Sequence, residues 1–386
     1  MKKLDGYSIM IVGKYFETQD DFINVMAVSK KFRELCDRYH FNPISLTQKT
    51  LHLFVRLQTL YLYTKLDDFL QGVNNYVICY RVDYKEYLDI KGKHLHKNLK
   101  FLHIEFSMYD DQLPFDSSNE VNQVGYYAFS WCVDNRVELK KNIKMLSPRS
   151  FSDSGIKELL IHSNINFLPV SCFKNCCLLS KIELPNTIGE IKSFCFSNCV
   201  ALRTIDIPEG VSSIGMCAFK ECISLSQIQI PKTLNTLNER VLFHCASLTC
   251  VTLPSALTRI KTGCFSGCSN LRKIVFNHNN KIEFAVPLWM KEVFEGNGFV
   301  VQNVKYTKDD RILNGNLVPL GVTAVEKYCF AGMPSLTKVV FPETVTKIGK
   351  GCFAYTDYLQ SVVFPSSLVI LGKNCFTEKV RSLWYW

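Results

Sequence analysis

The chain has 386 residues, 47% hydrophobic and 21% charged, a balance that excludes wholesale disorder. No stretch approaches the run of about eighteen apolar residues that a membrane-spanning helix needs. The net charge is +10, and residues 1–100, with sixteen basic and eleven acidic side chains, hold half of it, so the charge is spread rather than gathered in a basic tail. Diffuse positive charge favours an acidic partner or an anionic surface, and without a focus it does not point to nucleic acid.

The N-terminus places Asp5 after its lysines, and the apolar run from Tyr7 to Val12 is too short for the core of a signal peptide. No Asn-x-Ser/Thr sequon with a permitted middle residue occurs. The expectation is a cytoplasmic protein, with peripheral association at a membrane left open. The seventeen cysteines are then expected as thiols rather than disulfides.

In chain order, Thr18-Gln-Asp-Asp21 is a capping box, and Phe22, Val25, Met26, Phe32, Leu35, Cys36 and Tyr39 follow at helical spacing until Asn42-Pro43. A shorter helix before it would carry Ile9, Val12 and Phe16. Leu57-x-x-Leu60-x-Leu62 predicts a strand, and Tyr76–Tyr84 and Phe101–Phe106 alternate as two more. Residues 1–50 read as a helical cap or module, and 51–386 as a repeat array whose first rungs, 51–120, are irregular.

From residue 121 the chain aligns with itself on a 23-residue pitch. Phe173, Phe196, Phe219 and Phe265 share one column, with Leu242 between; Cys176, Cys199, Cys222, Cys245 and Cys268 stand three residues on. Leu179, Leu202, Leu225, Leu248 and Leu271 form the next column, followed by Ile182, Ile205, Ile228, Val251 and Ile274. Pro185, Pro208, Pro231 and Pro254 follow, and an aliphatic pair such as Val211/Ile214 closes each unit. The pattern resumes at Phe330, Phe353 and Phe376; upstream, Val121–Cys132 is one unit and Phe151 starts another. The L-x-x-I-x-L core alternates as a short strand that proline ends, because proline has no N–H for the ladder. Gly215, Gly349 and Gly372 suggest a turn with positive φ. A unit this small cannot bury its apolar face alone, so units must stack. The fold class is an α/β-type repeat solenoid: a right-handed array of short parallel strands in ~23-residue rungs.

The string Val211-x-x-Ile214-Gly-x-x-Ala-Phe219-x-x-Cys222-x-x-Leu225-x-x-Ile228-x-Ile-Pro231 resembles the BspA-like (Treponema-type) leucine-rich-repeat proteins, over roughly residues 121–386. That resemblance implies non-enzymatic binding proteins, several of them proposed adhesins or membrane-associated proteins. Val28-Ser-Lys-Lys-Phe-Arg-Glu-Leu35 is similar to the third-helix signature of F-box modules, which implies an adaptor-binding or packing role for Phe22, Val25, Val28 and Leu35. The alternative is a cap that hides the first rung's edge.

No phosphate loop, nucleophile elbow or H-E-x-x-H is present, and no cofactor is expected. The cysteine columns recur because the repeat recurs, and are read as small buried apolar groups. His94-x-His96 with His103 is read as solvated rather than as a zinc site, so no metal is expected. The candidate partner-binding residues flank the inward aliphatics: Arg203, Asp206, Gln227, Gln229, Thr252, Arg272, Lys273 and Lys338. Phe265 and Phe330 are 65 residues apart, four short of three repeats, so 277–328 is an interruption. It contains Trp289 and the charged Lys308-Asp-Asp-Arg311, and interruptions of arrays often carry binding function. Trp384 and Trp386 would cover the last edge or form a self-association patch. The function expected is a protein–protein interaction scaffold. The alternatives are an F-box-like substrate receptor of a ubiquitin ligase, a regulator of an intracellular enzyme such as a phosphatase, and a surface adhesin.

Overall fold

The structure, a computed structural model, describes residues 6–110, 120–162, 164–261, 263–276, 281–282, 285–377 and 380. Trp384 and Trp386 lie outside the described residues. The chain divides into two compact units, one of residues 1–128 with 142–147, the other of 129–141 with 148–386. The boundary expected at residue 50 falls inside the first.

In the first unit α1 (Gly6–Gly13) precedes α2 (Gln19–Val28). The capping box forms: Thr18 N–H donates to Asp21 Oδ2 (2.9 Å) and Asp21 N–H to Thr18 Oγ1 (3.4 Å). The helix does not continue to Asn42. Ser29 is extended (φ −154°), and 3-10 turns at Lys30–Phe32 and Cys36–Arg38 follow. Phe22, Leu35, Cys36 and Tyr39 are nonetheless buried together, with the Phe22 ring 4.9 Å from Phe16 and 5.6 Å from Phe54. Residues three apart share a face in a 3-10 turn as in an α-helix, so the apolar spacing located the core and misjudged the backbone. The segment resembling the F-box third helix is thus a pair of turns, with Val28 79% exposed and Val25 half-buried.

Buried Asn42 donates to the carbonyls of Ile44 (2.7 Å) and Tyr61 (2.8 Å) and accepts from Tyr61 N–H (2.6 Å), which fastens the end of the helical segment to β1 (Leu60–Leu62). Then β1, β2 (Asn75–Asp83), β3 (Asn98–Phe106), β4 (Gln123–Val124) and the pair Met145–Leu146 lie side by side, all parallel. α3 (Tyr84–Lys93), unforeseen from the sequence, crosses from β2 to β3. Its cap is Asp83, which accepts from Glu86 N–H (2.7 Å) and stops the strand that the alternation carried to Tyr84.

The second unit is a parallel β-solenoid with two faces. On the first face lie the L-x-x-I-x-L strands: Arg136–Leu139, Glu158–Ile161 and Lys181–Glu183, then Gln227–Gln229, Cys250–Leu253 and Lys273–Phe276, then Lys338–Val340 and Ser361–Val363. Ile228 stands opposite Val251 and Val251 opposite Ile274, each one repeat apart. The second face holds the closing aliphatic pairs: Phe167–Leu168, Glu190–Ile191 and Ser213–Ile214, then Thr236–Leu237 and Arg259–Ile260, then Val286–Pro287, Val304–Tyr306, Ala324–Val325, Lys347–Ile348 and Ile370–Leu371.

Each regular turn passes through two left-handed residues four apart, such as Ser171/Asn175, Cys217/Glu221 and Gly263/Gly267. The positive φ expected at Gly215, Gly349 and Gly372 is therefore elsewhere. Those glycines permit close approach: a Cβ on Gly215 would lie 2.3 Å from Ser193 N, and one on Gly349 2.4 Å from Lys327 N.

Between the faces, Phe129, Phe151, Phe173, Phe196 and Phe219 form a continuous ring stack with centroids 4.6, 5.3, 5.1 and 5.3 Å apart. All the cysteines are free, and most are buried. They are more than apolar filler. Cys176 donates to the Phe151 carbonyl (3.0 Å), Cys199 to Phe173 (3.1 Å), Cys222 to Phe196 (3.1 Å), Cys245 to Phe219 (3.2 Å) and Cys268 to Leu242 (3.1 Å). Each thiol gives a carbonyl of the preceding rung a second bond beside its backbone one, a task no aliphatic side chain performs.

Both ladders part at one level, as they do again beyond Arg259–Ile260 and Lys273–Phe276. Among the described residues, 204–206 form no strand with 181–183 or 227–229, and Ser213–Ile214 does not pair with Thr236–Leu237. Single bonds carry the connection instead: Cys217 N–H to the Glu239 carbonyl (3.0 Å) and Phe219 N–H to that of Val241 (2.9 Å) at the turn, with Ser226 N–H to the Arg203 carbonyl (3.0 Å) and Asn238 Nδ2 to that of Ile214 (2.6 Å) on the two faces.

The interruption is two rungs with helices in place of the usual turn. α4 (Leu288–Gly296) follows Val286–Pro287, and α5 (Lys308–Asn314) follows Val304–Tyr306. Val286 pairs with Val304 and Lys305 with Ala324, steps of 18 and 19 residues where the regular rungs step by 23. Tyr306 takes over the phenylalanine column, its ring 6.1 Å from Phe330.

Candidate functional site

α4 is amphipathic. Met290 and Phe294, four residues apart, are fully buried against the rungs, which leaves Trp289, Glu292 and Val293 on another side. α5 lies beside it with Ile312 75% and Leu313 71% exposed. Between these helices and the turns of the two preceding rungs is a cavity of about 750 Å³, its apolar lining from Leu271, Trp289, Val293, Ile312 and Leu313, with Arg272, Glu292 and Asp309 among its charged groups. The exposed large apolar groups converge on a concave space, the arrangement that receives an apolar anchor from a partner.

One carboxylate holds the cleft together. Asp310, fully buried, accepts from Thr307 N–H (2.7 Å) and Thr307 Oγ1–H (2.7 Å) as the capping box of α5. It also accepts from Leu288 N–H (3.3 Å) and Trp289 N–H (2.8 Å), two unpaired donors at the start of α4. Burial pushes its carboxyl above the usual range against the pull of these four donors. Asp309 accepts from Ser266 Oγ–H and ties α5 back to a regular turn. Asn297, at the end of α4, donates to the Arg272 carbonyl (2.9 Å) and accepts from Ile274 N–H (3.3 Å).

The residues singled out from the sequence separate into groups. Trp289, half-buried, and Arg272, exposed, line the cleft; Arg272 Nη1 donates to the Ser269 (2.9 Å) and Leu271 (3.0 Å) carbonyls, which fixes its head at the rim. Asp206, Gln227, Gln229 and Thr252 line a hollow of about 280 Å³ on the first face, where the ladder parts. Arg203, Lys273 and Lys338 are exposed on that face outside both spaces. The sequence reading missed Ile312 and Leu313, and it saw Asp310 only as part of the charged Lys308-Asp-Asp-Arg311. Thr307-Lys-Asp-Asp310 has the same capping-box form as Thr18-Gln-Asp-Asp21, and it was the available signal.

In the first unit the histidines are engaged separately. The His94 ring stacks on Phe69 at 3.9 Å, and His103 Nδ1 pairs with Gln123 Nε2 at 2.7 Å. Burial and the nearby Lys97 lower the His94 pKa.

The model of the BspA type leucine rich repeat region matches residues 106–214, 189–285 and 316–383, in six copies. A leucine-rich repeat protein from Bacteroides ovatus is 18% identical, covering 88% of this chain and 77% of its own, with a TM-score of 0.41. The T. pallidum leucine rich repeat protein is 25% identical over 49% of this chain and 83% of its own, at 0.36. A leucine rich cell surface protein from Faecalibacterium prausnitzii is 18% identical over 80% and 88%, at 0.33. No curated protein matches. With more than half of its length matched by the repeat model, the chain belongs to the BspA-type leucine-rich-repeat family.

Proposed function

We propose that the chain is a non-enzymatic scaffold that binds a protein partner through its repeats, with the α4–α5 cleft as the anchor and the first face as the flanking surface. The observation that supports this is the cleft itself: Ile312 and Leu313, both more than two-thirds exposed, stand with Trp289 around about 750 Å³ of concave space. Exposed apolar groups gathered in a concavity mark interaction sites far more often than scattered ones do. The stacked rungs hold this surface rigid, so a partner meets a preorganised site.

The test is capture from cell lysate with the full chain and with Trp289→Ala/Ile312→Ser. The double variant is expected to fold and to lose the proteins that the parent captures. If it retains them, the cleft is not the anchor; if Gln227→Ala/Gln229→Ala retains them as well, binding through the repeats is wrong. Cytoplasmic residence is part of this proposal, and surface labelling of intact cells that reached the chain would overturn it.

A further inference from the structure

The second face of the second unit gathers charge that the sequence presents as diffuse. Arg259, Lys305 and Lys347 stand just before the buried ladder residues Ile260, Tyr306 and Ile348, Lys305 paired with Ala324 and Ala324 with Lys347. Lys261 lies two residues beyond Arg259 on the same face. Lys327, Lys350 and Lys373 follow on successive rungs, locked by Tyr328 N–H to the Lys350 carbonyl (2.9 Å) and Gly351 N–H to that of Lys373 (3.0 Å). Rungs are ~4.8 Å apart, so like charges stack at close range.

Two carboxylates oppose them. Lys327 pairs with Glu239 at 3.2 Å, and Glu326 is buried. Lys261 has a neutral partner, Asn238 Oδ1 at 2.7 Å. Glu239 and Lys327 are four rungs apart, ~19 Å on a straight ladder, yet they touch across the break between Arg259–Ile260 and Val286–Pro287. The face therefore turns inward there and brings Arg259 toward Lys305. Burial pushes the Lys305 ammonium below the usual lysine range, and Arg259, Lys347 and Lys327 add to that against the pull of Glu326.

Like charges on neighbouring strands destabilise a sheet. The same outward positions in other rungs hold Ser213, Thr236 and Ala324, so the fold does not require lysine there. We propose that this face docks an acidic protein segment whose carboxylates pair with Arg259, Lys305, Lys347 and Lys350. The proposal rests on the scaffold reading and gives the partner its chemistry. A peptide fits better than a nucleic acid because Glu239 and Glu326 interrupt the face. A uniform phosphate backbone meets repulsion there, whereas a peptide can place a neutral residue.

The test is fluorescence anisotropy of a labelled peptide of alternating Glu and Gly, titrated with the full chain at several salt concentrations. Binding is expected to weaken with salt and to fall about tenfold in Lys305→Gln/Lys347→Gln/Lys350→Gln. A control of equal charge, Lys141→Gln/Lys157→Gln/Lys232→Gln, is expected to change it by about twofold or less. Equal losses in both variants, or tighter binding of a short DNA duplex with the same dependence on these lysines, overturns the proposal; circular dichroism melts check that the variants fold. Absence of peptide binding while the cleft variant still loses its captured partners discards the acidic face and leaves the scaffold reading. Peptide binding as expected with an inert cleft variant does the reverse for the anchor.

Discussion

The regular rungs and the interrupted rungs use their side chains in opposite ways. Between Phe151 and Phe265 the recurring side chains are spent on the neighbouring rung: rings stack on rings, and thiols donate to carbonyls one repeat back. Between Val286 and Asn314 two helices replace those turns, and only part of each helix can face the rungs. Ile312, Leu313 and one side of Trp289 are left over for solvent. A rung that repeats its neighbour consumes its own surface, and a rung that departs from the repeat exposes one.

Three substitutions test this contrast. Phe196→Ala removes a ring stacked on both sides, at 5.1 and 5.3 Å. It is expected to cost about 3–5 kcal/mol in urea denaturation, and a cost below about 1 kcal/mol would mean the column is not the core. Asp310→Ala leaves the four donors at the starts of α4 and α5 without their acceptor. Its cost is expected near 2 kcal/mol and confined to the interruption. Hydrogen exchange should accelerate in 286–314 and not in 165–260; uniform acceleration would show the two regions to be one cooperative block.

The smallest effect is at Cys222. Cys222→Ala removes one thiol–carbonyl bond and is expected to cost about 1 kcal/mol. Burial pushes this thiol up from 9.0 to about 12, so the folded chain keeps a proton that the unfolded chain releases. Its stabilisation is full below pH 9.0 and is lost as the pH rises toward about 12. Alkaline unfolding should therefore be less steep in Cys222→Ala than in the parent.

The regular rungs were legible because one period governs every column, and each column has one environment. The thiol bonds were not legible, since a buried donor and a small apolar group leave the same recurring pattern. The cleft was half legible. Trp289 and Arg272 were found by type and position, but Ile312 and Leu313 follow Lys308-Asp-Asp-Arg311 and look like part of a charged loop. That Thr307 and Asp310 cap one helix while Asp310 also reaches the start of another is a tertiary fact. At the N-terminus the difference is one residue, Ser29, whose extended backbone ends α2 although the apolar spacing runs on to Tyr39.

The parting of both ladders near residues 204–236 bears on how this chain fails as well as how it stands. In a linear array, stability is a chain of nearest-neighbour couplings, and opening starts at the weakest. Here the rungs on either side communicate through turn bonds, a few single bonds on the faces and the core beneath them rather than through two full ladders. A pull on the ends, or a protease sampling brief openings, would find such a seam first, here or beyond Arg259–Ile260, and the array would separate into blocks before any of them lost its own order.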